Sequence, residues 1–146
     1  MKPTEIIAKL PYSHPFLFVD SIDTVNDEGL VGRYTFRTDE YFYKGHFKDH
    51  PVTPGVILTE CMAQLGLVCF GIYLLSESSG EDFQVALSSS EIDFLKPVYP
   101  GDTVIVISEK IYYRFNKLKC KVKMTNADDE TLCTGIISGM LITKRS

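Results

Sequence analysis

The chain has no internal repeat, no low-complexity tract and no linker-like stretch, which excludes a solenoid and gives no place to divide it. Basic residues are in deficit, 15 Lys and Arg against 19 Asp and Glu for a net charge of −4. That balance argues against a general nucleic-acid binder, whose affinity comes from clustered cations. The four cysteines, Cys61, Cys69, Cys120 and Cys133, show neither a CxxC nor a Cys/His metal spacing. Cys61 and Cys69 fall on one expected helix, roughly 12 Å apart, which suits no disulfide framework. They read as buried thiols in a reducing compartment. Met1 to Glu5 carries no apolar signal core, so the expected location is cytoplasmic. The longest apolar stretch, Cys61 to Ser76, falls short of the roughly 20 residues a membrane span needs. A buried helix is expected there, and no membrane partner.

What is present suits one soluble domain over residues 1–146, with 45% hydrophobic and 23% charged residues. Lys2 to Lys9 reads as a short helix ended by Pro11. Phe16 to Val25 and Leu30 to Phe36 read as strands joined by the turn Asn26-Asp27-Glu28-Gly29. Asp39 to Lys44 is a loop or one helical turn. A long helix is expected from Pro54, capped by Thr53, with apolar residues all the way round, which calls for enclosure on nearly every side. Ser76 to Asp82 reads as a loop. Four β-prone runs follow, Phe83 to Leu95, Asp102 to Tyr113, Leu118 to Thr125 and Thr131 to Thr143. The expected class is α+β, a long central helix wrapped by about six antiparallel strands, with a partner copy covering the exposed edge.

Chemistry is concentrated between Gly45 and Gln64. His46 supplies an imidazole, the side chain best suited to removal of a proton beside a carbonyl. Glu60 lies on an apolar helix, where desolvation favours the protonated acid. The opposite assignment of the two roles stays open on sequence grounds. Pro54 and Gly55 start the helix, so the Gly55 N–H is a candidate oxyanion donor, and Gln64 lies one turn after Glu60, placed to orient it. Phe47, Pro54 and Val56 join Gly55 and Gln64 as expected substrate-lining residues. His50 reads as structural. A metal site from His46, His50 and Glu60 is disfavoured because Gly45 and Pro51 oppose a helix there, so neither metal nor cofactor is expected.

Three segments together resemble the FabZ-type 3-hydroxyacyl-acyl-carrier-protein dehydratases of the hotdog-fold superfamily. They are Leu10-Pro11-Tyr12-Ser13-His14-Pro15-Phe16-Leu17-Phe18-Val19-Asp20, the Gly45-His46-Phe47 to Gln64 stretch, and Phe94-Leu95-Lys96-Pro97-Val98-Tyr99-Pro100-Gly101-Asp102. The resemblance implies a hotdog fold, with His46 and Glu60 as the catalytic pair contributed by different subunits of a homodimer or a larger assembly of dimers. It implies an acyl carrier protein as partner and dehydration to a trans-2-enoyl thioester. Glu60, where the isomerising branch carries Asp, favours the simple dehydratase. Lys48-Asp49 replaces the family's Pro-Gly and Thr53 its Met. With those departures, fatty-acid synthesis and an aryl-polyene, pigment or other secondary lipid pathway are equally consistent. A hotdog thioesterase and a non-catalytic acyl-binding protein are the alternatives.

Lys117, Lys119, Lys121 and Lys123 alternate with apolar residues, putting their amines on one strand face. They read either as a solvated face guarding a sheet edge or as a dock for an acidic carrier protein. Arg114, Lys119, Lys121, Arg33 and Lys96 are the expected docking cations.

Overall fold

The alternation of lysine with Leu118, Cys120, Val122 and Met124 becomes the two faces of a strand in the structure, a computed structural model that describes residues 1–76 and 83–143. The short helix α1 (Pro3–Ala8) leads to β1 (Ser21–Asn26) and β2 (Gly29–Thr35), an antiparallel pair. A 3₁₀ turn (Tyr41–Lys44) precedes the central helix, Gly55–Ser76. After it come β3 (Phe83–Phe94), β4 (Thr103–Arg114), β5 (Lys117–Thr125) and β6 (Thr131–Thr143). The expected loop at Ser76 to Asp82 lies, from residue 77 on, outside the described residues.

The six strands form one sheet in the order β1-β2-β4-β5-β6-β3, every described pairing antiparallel. β3 and β1 are therefore the edges. β5 is interior, which corrects one reading of its lysines: they guard no edge.

The central helix is longer than the apolar stretch that marks it. At 22 residues with a mean hydropathy of 1.7 over its most apolar window, it meets the length and hydropathy of a spanning helix. The sheet encloses it instead: 72% of that window is buried, and its middle packs against β2, β3, β4, β5 and β6. That middle, Gln64–Cys69, is π-helical between α-helical turns. Gly66 makes the close approach possible, since a Cβ there would lie 3.1 Å from Ser108 Cβ and Val122 Cγ1. The Ser108 hydroxyl donates to the Gly66 carbonyl at 2.8 Å, supplying a partner where the widened helical turn disturbs the usual bonding.

The first expected strand begins later than its composition suggests. Residues 16–20 lie outside β1, the chain bending at Phe16 and the Phe18 N–H being taken by the Gln64 side chain. The Phe18 ring then packs edge-on against Tyr34, which packs edge-on against Phe36. This cluster ties the chain before β1 to the helix on one side and to β2 on the other.

Candidate active site

The loop between the 3₁₀ turn and the central helix is knitted by its own main chain. Phe47 and His50 exchange N–H···O bonds of 3.1 Å, and the Val52 N–H donates to the His46 carbonyl at 2.9 Å. The Thr53 N–H reaches the Val98 carbonyl at 2.8 Å, fixing the loop to the segment after β3. Thr53 does not cap the helix as its sequence position suggests. Its buried hydroxyl bonds the Tyr43 hydroxyl at 2.6 Å, while the Pro54 carbonyl accepts from Ile57 and Leu58.

His46 is half-buried, its ring stacked on that of Phe47 at 4.2 Å. His46 Nδ1 lies 3.0 Å from the Val52 carbonyl oxygen. A carbonyl only accepts, so Nδ1 carries hydrogen and the neutral ring keeps its lone pair on Nε2. The imidazole is thereby oriented by backbone alone, with Nε2 left open to accept a hydrogen. His50 serves the loop through its main chain, as expected, with its side chain exposed.

Glu60 is held differently. The Gln64 amide is wholly buried and makes three bonds. Its Oε1 accepts from the Phe18 N–H at 2.8 Å; its Nε2 donates to the Phe16 carbonyl and to Glu60 Oε2, both at 3.0 Å. With Oε2 accepting, a proton on neutral Glu60 belongs on Oε1. Desolvation pushes the Glu60 carboxyl above its ordinary value, and the Gln64 bond offsets part of that rise. Tyr12 lies within its field: burial, then Glu60, then Cys69 push the phenol up to about 12.

Glu60 opens into a groove of about 620 Å³ lined by Gly55, Val56, Thr59, Leu87, Ser90, Ile92 and Phe94. The helix starts at its floor. Among the described residues neither the Gly55 nor the Val56 N–H meets an acceptor, so both are available to an anion. The Phe94 ring covers Gly55 so closely that a Cβ there would sit 3.2 Å from Phe94 Cζ. On the other side of this contact, Thr53, Gly55, Leu58, Phe94, Leu95, Lys96 and Pro97 line a second cavity of about 410 Å³. Leu87, Ser90 and Ile92 escaped the sequence reading. Phe94 stood within a quoted motif without a role. All four belong to edge strand β3, whose place beside the helix depends on a crossover that local pattern does not encode.

One chain brings Glu60, Gly55, Val56 and Gln64 together but leaves His46 and Phe47 outside the Glu60 groove, with no hydrogen bond joining His46 to Glu60. The expected docking cations also divide. Arg33 is paired with Asp23, and Lys96 with Glu130; both lie toward the helix start. Lys119 and Arg114 are displaced from them along the sheet by roughly 20 and roughly 30 Å, at its other end. Among the described residues no group of three or more potential metal ligands occurs.

A family model described as a FabA-like domain matches residues 10–139. The chain is 36% identical to the 3-hydroxyacyl-[acyl-carrier-protein] dehydratase FabZ of Ehrlichia chaffeensis, over 79% of this chain and 78% of that one. It is 33% identical to the FabZ of a Wolbachia species of Drosophila simulans, over 97% and 96%. Among solved structures it is similar to the dehydratase heterocomplex ApeI:P from Xenorhabdus doucetiae, with a TM-score of 0.81 at 16% identity over 99% of this chain and 93% of that one. A hypothetical thioesterase with coenzyme A from Streptococcus pneumoniae gives 0.60 at 18%, over 86% and 87%. At these identities the structures establish a shared fold, and the sequence relatives establish the lineage. The chain belongs to the FabA-like family, among its FabZ-type dehydratases of hotdog fold.

Proposed function

We propose that this chain is a hydro-lyase that dehydrates a 3-hydroxyacyl thioester carried on an acyl carrier protein, in fatty-acid or related lipid biosynthesis. The observation that carries the reading is Glu60, a desolvated carboxyl gripped by a buried amide beside free helix N–H groups. His46 Nε2 takes the C2 proton. The Gly55 N–H, with Val56 beside it, steadies the negative charge that develops on the thioester oxygen. Protonated Glu60 gives its Oε1 hydrogen to the C3 hydroxyl, the C–O bond breaks, and water leaves as the C2–C3 double bond forms. Protons and water balance, and no electron changes hands. The groove past Val56, Leu87, Ile92 and Phe94 takes the apolar chain.

His46 reaches this groove from a second copy of the chain. Support comes from the incomplete site and from edge strand β3, which presents Leu87 and Phe94 about half exposed at the same groove. Four free, buried thiols suit a reducing, cytoplasmic setting. Arg114 and Lys119 steer the acidic carrier, whereas Lys121, opposite Glu109, is compensated.

The test offers a 3-hydroxyacyl thioester and follows enoyl absorbance against free thiol, with thiol release as the mark of a thioesterase. His46→Ala and Glu60→Gln should each lower turnover by about 10²–10⁴-fold while the protein stays folded. Mixing the two inactive variants after subunit exchange should restore about a quarter of the sites, because each mixed dimer regains one complete pair. No recovery despite demonstrated exchange would place both groups within one subunit.

A further inference from the structure

The two-residue loop joining β4 to β5 is built against its own backbone preference. Phe115 and Asn116 have φ of 51° and 60°, the left-handed pair of a tight hairpin. Asn116 suits such a turn. Phe115, at the position where Asn, Asp or Gly is favoured, is bulky and 91% exposed. It gains no burial in return for the strained conformation.

The surroundings of Phe115 are equally one-sided. Across the sheet, the rung at the tip reads Arg114, Lys117, Met140, Ala86, and the next on the same face reads Tyr112, Lys119, Ser138, Ser89. Neither contains a carboxylate. Further down, Lys121 shares a rung with Glu109 and Glu91, and Lys123 shares one with Asp93. Among the described residues, positive charge without a carboxylate on its own rung therefore belongs to the tip and not to the whole lysine ladder. β2 ends its pairing at Glu109, so the hairpin projects beyond it. Arg114 and Lys119 both stand over the Tyr112 ring, at 4.3 and 5.8 Å, and Ile111 and Met140 add exposed apolar surface nearby. An aromatic anchor ringed by cations is the composition of an interface hot spot.

We propose that Phe115 is the apolar anchor of the carrier-protein dock, inserting into an acidic, amphipathic face of the protein that delivers the acyl chain, while Arg114, Lys117 and Lys119 pair with its carboxylates. Charge complementarity selects this occupant. The inference rests on the dehydratase reading, which gives the chain a carrier-bound substrate.

The decisive variant is Phe115→Asn, which relieves the turn and should raise the melting temperature. In the full-length protein, KM for a 3-hydroxyacyl group on holo carrier protein should rise on the order of 10-fold, as for loss of one aromatic anchor. Turnover of the same acyl group on N-acetylcysteamine should be unchanged. Unchanged KM on the carrier, or equal loss on both substrates, would overturn the proposal. So would loss of binding to anionic phospholipid vesicles with carrier kinetics intact, since the anchor would then serve a membrane. If the wild type dehydrates neither substrate, the function reading fails. Titration of acylated carrier protein against wild type and Phe115→Asn then still decides the dock: weaker binding by the variant sustains it, and equal binding or none by either overturns it.

Discussion

The two halves of the candidate site are held by opposite means. His46 is aligned by main-chain groups: Val52 meets it with both its N–H and its carbonyl, and Phe47 and His50 close the turn between them. Glu60 is aligned by one side chain, and that side chain has no bond to spare: Gln64 serves Glu60, Phe16 and Phe18 together. A backbone-held base tolerates changes of side chain around it. A base or acid held by one buried amide shares its fate with the local fold. The carboxyl half should therefore be where stability and chemistry are coupled, and the imidazole half where they separate.

Gln64→Leu tests this with the largest expected effect. It leaves the buried Phe18 N–H and the part-buried Phe16 carbonyl without their partner, costing about 2–4 kcal/mol of stability. It also removes the bond that holds the Glu60 carboxyl down, so that carboxyl should rise further. In the proposed role of acid, Glu60 works only when protonated, so activity should fall as pH climbs through its value. The high-pH limb of the rate profile should move upward in the variant. Denaturant melts measure the first effect and a pH–rate profile the second. An unmoved limb with reduced stability would reduce Gln64 to scaffolding.

Glu60→Gln should move stability and turnover together but in opposite directions. The folded-state carboxyl lies above its ordinary value, so its contribution to stability is full below the ordinary carboxyl range and is lost as pH rises through the folded value. Replacing it with a neutral amide should raise the melting temperature relative to wild type, by more at about pH 8 than at about pH 4. The Gln64 amide keeps an oxygen to donate to. A difference that shrinks with rising pH would mean that the carboxylate is well solvated when charged.

The candidate site was legible in the sequence to the extent that the placement of its residues is local. Gly55, Glu60 and Gln64 stand in a spacing that one helix realises without help, whereas His46 stays outside their groove within one chain, and the strand boundaries after residue 83 nearly coincide with the β-prone runs. Contacts made by topology were not legible. Leu87, Ser90, Ile92 and Phe94 reach Glu60 only because β3 crosses to the sheet edge beyond β6. The lysine alternation on β5 gave the exposed face correctly but could not say that the strand is interior. Thr53 looked like a cap because it precedes Pro54, and only the fold brings Tyr43 to its hydroxyl. The π-helical stretch depends on Ser108 of β4, more than forty positions from Gln64. Phe16 to Asp20 has β composition, yet a helix side chain claims its backbone first.

The smallest expected effect bears on the imidazole half. Val52→Ala removes a half-buried side chain next to His46 but keeps both main-chain groups that hold it. The dehydration rate should stay within about twofold of wild type, with stability lowered by about 1 kcal/mol for the methyl groups lost. The useful result is the comparison with Gln64→Leu at matched stability, reached by adding denaturant to the milder variant. If Val52→Ala, so matched, keeps its pH profile while Gln64→Leu does not, the two halves differ in kind and not merely in robustness. A tenfold loss in Val52→Ala, or a displaced low-pH limb, would mean that packing of the Val52 side chain sets the imidazole. Both halves would then answer to side chains, and the contrast between them would vanish.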